Sequence, residues 1–213
     1  MKKQEELHIA ILKEEFFKLI FYYYKNISFA ENLWSKIFEN YTAKNRFYHN
    51  LEHIFQMFNL FEKYKSKIVD KNAVLFSIFY HDFYYFPNRN DNELQSAEKL
   101  KSSLQNVVPK EVINKSYDYI IATKNHDVSE KKLDKDLLFF LDFDMSILGS
   151  SSKNYKNYLY KIRLEYLEYS DIEFLKGRKK FAKNILANQP IFKTVEIRKE
   201  FEKQAITNLN LNI

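Results

Sequence analysis

Apolar residues recur along this chain at intervals of three and four, and seldom of two, which is the signature of helices and not of strands. In 7–26 the stripe is Ile9, Leu12, Phe16, Leu19, Ile20 and Tyr23. Ser28 is expected to open a second helix, with Glu31 three places on completing a capping-box pattern, and Leu33, Trp34, Ile37 and Phe38 carry it to about Tyr41. A third helix is expected from near Tyr48, bearing His49, His53, Phe55, Met57, Phe58 and Phe61. Asp70 caps a fourth over 71–82, apolar almost without break from Ala73 to Tyr80. A fifth begins at Asn92. Pro109 fits the first turn of a sixth that ends near Asp127, and Asp134 caps a seventh over 137–148, stopped by Gly149. Amphipathic stretches over 154–168, 172–188 and 194–209 complete the set. No repeat, low-complexity segment or long linker divides the chain. The expectation is an all-α, single-domain helical bundle over 1–213, with its chemistry in about 46–148 and C-terminal helices over 154–213.

Composition sharpens this picture. Two glycines and three prolines among 213 residues suit long helices and short polar turns. They exclude a phosphate-cradling Walker loop and a Gly-rich dinucleotide loop, each of which needs several glycines together. With no cysteine there is no disulfide, thiol nucleophile or thiolate-ligated zinc. The 20 Phe and 16 Tyr give the core an aromatic character. Lys13, Glu14 and Glu15 break the first apolar stretch, so no signal peptide is expected, and no run approaches the ~18 apolar residues of a membrane span. A cytoplasmic protein without membrane partners follows as the expectation. The net charge of +6 is spread along the chain; it fits an anionic substrate, though on charge alone it reads as a solvated surface, and nucleic acid is not expected as a partner.

The chemistry gathers in one stretch. Three of the five histidines lie between Arg46 and Asp82: His49 and His53, four apart and so on one face of the expected helix, and His81, which adjoins Asp82 at the end of an apolar helix. A helix that ends by presenting an imidazole and a carboxylate together makes sense around a metal ion, and mixed imidazole–carboxylate ligation suits divalent transition metals or, with water, Mg or Mn. Two further carboxylates, Asp142 and Asp144, sit inside the apolar run 137–148 and need partners there. Either they bond nearby backbone, or at least one completes a metal site with His53, His81 and Asp82; the second reading is preferred. His8 has no acidic or histidine partner at helical spacing and reads as a surface or packing residue.

These residues resemble the HD superfamily of metal-dependent phosphohydrolases, and in particular its bacterial branch of predicted HD-domain phosphohydrolases. The segments that carry the likeness are Tyr48 to Ile54, His81-Asp82, Asn92-Glu93-Leu94-Gln95-Ser96-Ala97, Ala122 to His126 and Leu141 to Gly149, with Glu165-Tyr166 and Gly177-Arg178 beyond them. The resemblance spans most of the chain. It implies an HD-type helical bundle and hydrolysis of a phosphoester, on a nucleotide or another small phosphorylated metabolite, by metal-activated water. The Tyr48-His49-Asn50-Leu51-Glu52-His53 segment is similar to that of cyclic-nucleotide phosphodiesterases, which implies His53 as a ligand and His49 as the acid that protonates the leaving oxygen. Phe143-Asp144-Met145-Ser146 is similar to their last ligand segment and implies Asp144 as the fourth ligand, with Asp142 behind the ligands. Where those enzymes carry a further histidine after the His-Asp pair, this chain has Tyr84 and Tyr85, which leaves one metal or two open. His126 is the candidate to replace that histidine or to touch substrate.

On this reading His53, His81, Asp82 and Asp144 hold Mn, Mg, Co, Fe, Ni or Zn, and Asp82 also orients the water. Glu52 and Glu93 are candidates for orienting the ligand histidines from behind, Glu93 equally for a helix-start carboxylate. Arg46 and Arg178 are candidates to grip phosphate through a planar fork, or to serve at the surface. Three alternatives stand beside it. His49-Asn50-Leu51-Glu52-His53 also satisfies His-x-x-Glu-His, the inverted zinc-peptidase motif, with both histidines as ligands and Glu52 as base. The same ligand shell can serve di-iron oxygenation. The domain can also bind a metal or nucleotide without turnover. Metal identity and oligomeric state are not readable from the sequence.

Overall fold

The computed structural model describes residues 2–126 and 134–211, and among these there are ten α-helices, two 3-10 turns and no strand, the all-α class that the apolar spacing predicts. The sixth helix, expected to end near 124–127, ends at Ala122 and gives way to turn over 123–126; Asp127 lies outside the described residues. No helix is long and apolar enough to cross a membrane. The chain forms two compact units, Met1–Phe140 and Leu141–Ile213.

The first unit holds α1 (Lys2–Tyr23), α2 (Ile27–Tyr41), α3 (Leu51–Tyr64), α4 (Lys71–Tyr80), α5 (Asn92–Leu104), α6 (Lys110–Ala122) and the start of α7 (Lys135–Met145). α4 is its centre. Eight consecutive residues, Ala73 to Tyr80, are buried, and the helix packs against α1, α3, α5 and α6. Each buried Phe, Ile or Val there contributes roughly 1.5–3 kcal/mol of transfer free energy, which is why a helix apolar on all sides occupies the middle. Its one polar interior residue, Ser77, donates to the Ala73 carbonyl at 2.8 Å, so no donor is stranded. Asp70 caps the helix as expected, accepting from the Ala73 amide.

Two starts differ from expectation, and both differ through asparagine. α2 is capped by Asn26, whose side chain accepts from the Phe29 amide, so Ser28 lies inside the helix and forms no capping box with Glu31; Glu31 pairs with Lys13 instead. α3 begins at Leu51 and not near Tyr48, because Asn50 accepts from the Glu52 amide while its Nδ2 donates to the Phe47 carbonyl. Asparagine bonds its neighbours' backbone readily in non-helical geometry, so it wins the cap from a nearby serine or tyrosine.

The second unit holds the end of α7, a 3-10 turn at Ser146–Gly149, α8 (Ser152–Glu165), α9 (Asp171–Ala187) and α10 (Val195–Asn210). Its core is the packing of α10 on the 3-10 turn, with Leu148, Phe192, Ile197, Ala205 and Leu209 buried. Asn208 fastens the two by donating to the Leu148 and Ser150 carbonyls, both at 2.8 Å. A genuine capping box, Ser170 with Glu173, starts α9.

Candidate metal centre

Three side chains of the first unit converge. His53 comes from the first turn of α3, and His81 and Asp82 follow the last turn of α4. The His53 Nε2 lies 3.2 Å from the His81 Nε2, and the Asp82 Oδ2 lies 3.0 Å from His81 Nε2 and 3.9 Å from His53 Nε2. Donors held at about 2.1 Å from one ion stand roughly 3.0 Å apart at right angles and roughly 3.4 Å apart in a tetrahedron. The observed separations bracket those values, so the cluster could hold a metal ion. Among the described residues it is the one group of three such side chains close enough to do so.

The chemistry of the donors agrees. The His81 Nδ1 sits 3.0 Å from the Ile78 carbonyl, which can only accept, so Nδ1 carries the proton. In the neutral ring Nε2 then offers its lone pair to the cluster, an orientation typical of ligating histidines. Both histidines are almost fully buried, while the Asp82 side chain keeps 17% exposure, so the cluster is open to solvent on the carboxylate side. Burying two imidazoles nitrogen to nitrogen is unfavourable without a shared proton or a shared cation.

Arg46 supplies the scaffold. Its Nη1 donates to the carbonyls of His49 and Asp82, at 3.0 and 2.7 Å, and its Nη2 donates to the Phe83 carbonyl at 2.9 Å. The guanidinium expected to grip phosphate is therefore committed to backbone, tying the segment before α3 to the segment after α4. The Tyr41 hydroxyl accepts from the Asp82 amide, and the Arg46 guanidinium lies over the Tyr41 and Tyr85 rings. Asn92 and Ser96 clasp the loop that follows: Asn92 makes a pair of bonds with the Phe86 backbone and Ser96 with that of Tyr84.

His49 does not share a helix face with His53, contrary to expectation. It precedes the cap of α3 and stacks on Tyr85, with ring centroids 3.8 Å apart. Its ring centroid is 6.0 Å from that of His53, adjacent to the cluster without belonging to it. Glu52 is engaged elsewhere: its Oε2 lies 2.8 Å from the Nδ1 of His8, whose ring stacks on Phe55 at 3.7 Å. His8 thus has a partner after all, 44 residues away, and Glu52 fastens α1 to α3. The inverted zinc-peptidase arrangement needs both histidines on one helix and a free glutamate base, and neither condition is met.

Of the remaining expected residues in the first unit, neither Glu93 nor His126 is among the three grouped side chains. Glu93 is a half-buried carboxylate in the first turn of α5, and His126 follows the end of α6 in a left-handed conformation, φ 50°. Asp144 is half-buried in the last turn of α7, in the second unit. Asp142, in the same unit, is an anchor: Oδ1 accepts from the Lys193 amide at 2.7 Å, and Oδ2 from the Thr194 amide and hydroxyl at 2.7 and 2.6 Å. Thr194 in turn caps α10. Burial pushes the Asp142 carboxyl up to about 6, outweighing the hydrogen bonds that pull it down. Arg178 lies on α9 against Tyr158 and Phe181. Compared with protein-family models, with curated proteins and with solved structures, the chain matches none.

Proposed function

We propose that this chain is a metal-dependent phosphohydrolase of the HD type, acting on a nucleotide or another small phosphorylated metabolite. The observation that carries the reading is the convergence of His53 Nε2, His81 Nε2 and the Asp82 carboxylate at spacings that suit one divalent ion. An ion bound there would supply Lewis acidity, making a water more acidic and drawing charge from a phosphoryl group.

The chain's own residues do the rest. The partly exposed Asp82 carboxylate faces solvent beside the histidines and can hold an attacking water by one oxygen. His49, partly exposed and stacked on Tyr85, is placed to give a proton to the leaving oxygen. Arg46 keeps donor and ligand in register, because a single nitrogen binds the carbonyls of both His49 and Asp82. Stacking on Tyr85 restrains the imidazole, which limits the entropy lost when it aligns with substrate.

The test pairs metal content with hydrolysis of nucleotides and of a nitrophenyl phosphoester. His49→Ala should keep the metal and lose on the order of 10²–10⁴ in rate with a poor leaving group, and less with the nitrophenyl ester, which needs no proton. Absence of phosphoester hydrolysis by the metal-loaded protein across the panel would overturn the activity. Loss of metal in His49→Ala would overturn the role of His49.

A further inference from the structure

We propose that Arg178, where α9 faces α8, binds a phosphate-type oxyanion through the Nε–Nη2 edge of its guanidinium. The inference rests on the second unit alone and is independent of the metal centre. Only part of that guanidinium is partnered: Nη1 donates to the Tyr158 hydroxyl at 3.2 Å, and the rings of Phe181 and Tyr158 lie against it at 4.6 and 5.3 Å. Nε and Nη2 are closed off from solvent and donate to nothing among the described residues. An arginine cannot shed its charge, so a sealed, unpaired edge is among the costliest polar features a fold can carry.

The two unpartnered nitrogens are not scattered. Nε–H and one Nη2–H point the same way and form the edge that matches two oxygens of a carboxylate or phosphate. The phenols of Tyr158 and Tyr155 hydrogen-bond to Arg178 and act on its charge, and no carboxylate among the described residues is there as a counter-ion. Those phenols can donate to a third oxygen of a bound anion, which a carboxylate lacks and a phosphate has. On its exposed side α9 carries Lys176, Lys179, Lys180 and Lys183, a positive field that favours a dianion over a monoanion. Entry requires α9 to part from α8, and this helix is lightly held, with Ala182 its one buried residue.

The experiment reads the arginine itself. Full-length protein, kept metal-free with a chelator so that the first unit cannot contribute, is titrated with inorganic phosphate. The arginine Nε–H resonances are followed by NMR, with Arg178→Lys identifying the Arg178 signal. Chloride and acetate at matched ionic strength serve as controls. The expected result is a saturable downfield shift of the Arg178 Nε proton with phosphate, and phosphate binding weakened at least about tenfold in Arg178→Lys, which keeps the charge and loses the fork. Tyr158→Phe should weaken binding less. A resonance that ignores phosphate overturns the proposal, and so does one that moves equally with chloride or acetate. Failure of phosphoester hydrolysis elsewhere leaves this outcome unaffected, because no metal is present in the titration.

Discussion

Replacing Asp142 by alanine tests the most consequential buried carboxylate of the second unit. Its two oxygens accept from two backbone amides and one hydroxyl at 2.6–2.7 Å, and the residue is 2% exposed. The substitution strands three donors in the interior and loosens Thr194, the cap of α10. At ~1–1.5 kcal/mol for each lost bond, the expected cost is about 3–5 kcal/mol at neutral pH. With a urea m-value of ~2 kcal/mol/M, the midpoint followed by circular dichroism should fall by roughly 1.5–2.5 M. The pH dependence has a definite sign. The carboxyl is raised from 3.8 to about 6 in the folded chain, so the folded state binds the proton more tightly than the unfolded state. The group's stabilising share is therefore complete below about 3.8 and is lost as pH rises through about 6, a span worth at most about 3 kcal/mol. Wild type and Asp142→Ala should thus differ more at pH 4 than at pH 7. Metal content should be unchanged. A midpoint shift below about 0.3 M at pH 7, or a gap that widens as pH rises, would refute the anchoring role; loss of metal would restore Asp142 to the metal site.

Two other substitutions probe the framework. In Gly149→Ala the new Cβ would lie 2.5 Å from the Cβ and carbonyl oxygen of Phe201, backbone-bound atoms that cannot swing aside, so a loss of about 1–3 kcal/mol is expected and an unchanged thermal midpoint would contradict the packing of α10 on the 3-10 turn. Arg46→Lys keeps a charge but cannot span the carbonyls of His49, Asp82 and Phe83; a loss of about 2–3 kcal/mol with weakened metal binding is expected, and stability within about 0.5 kcal/mol of wild type would show the tie to be dispensable.

What the sequence disclosed follows from the range of the interactions involved. Helices were legible because their signal is local: the apolar period and the few glycines fix the class, and Asp70 and Asp134 mark starts that the structure keeps. Competition between neighbouring caps was not legible, since Asn26 and Ser28, or Asn50 and Tyr48, each offer a plausible start and only the assembled backbone decides. That small error mattered, because moving the start of α3 to Leu51 took His49 off the helix. The grouping of His81 with Asp82 was visible as adjacent polar residues ending an apolar helix, and His53 as a histidine on the neighbouring one. The fastenings around them were not visible. Arg46 reaches carbonyls 36 and 37 residues away, His8 meets Glu52 across 44, and Asp142 finds Thr194 across 52. Each is a bond between a side chain and a distant segment, with no periodic trace in the sequence.

The proposed activity requires one divalent ion bound between His53, His81 and Asp82. Anomalous X-ray diffraction from crystals grown with Zn or Mn, recorded at the metal's absorption edge, tests it in a single map. The expected result is a peak about 2.0–2.2 Å from the Nε2 of His53, the Nε2 of His81 and a carboxylate oxygen of Asp82. No peak at that cluster, or one bound by other side chains while these three remain uncoordinated, would contradict it.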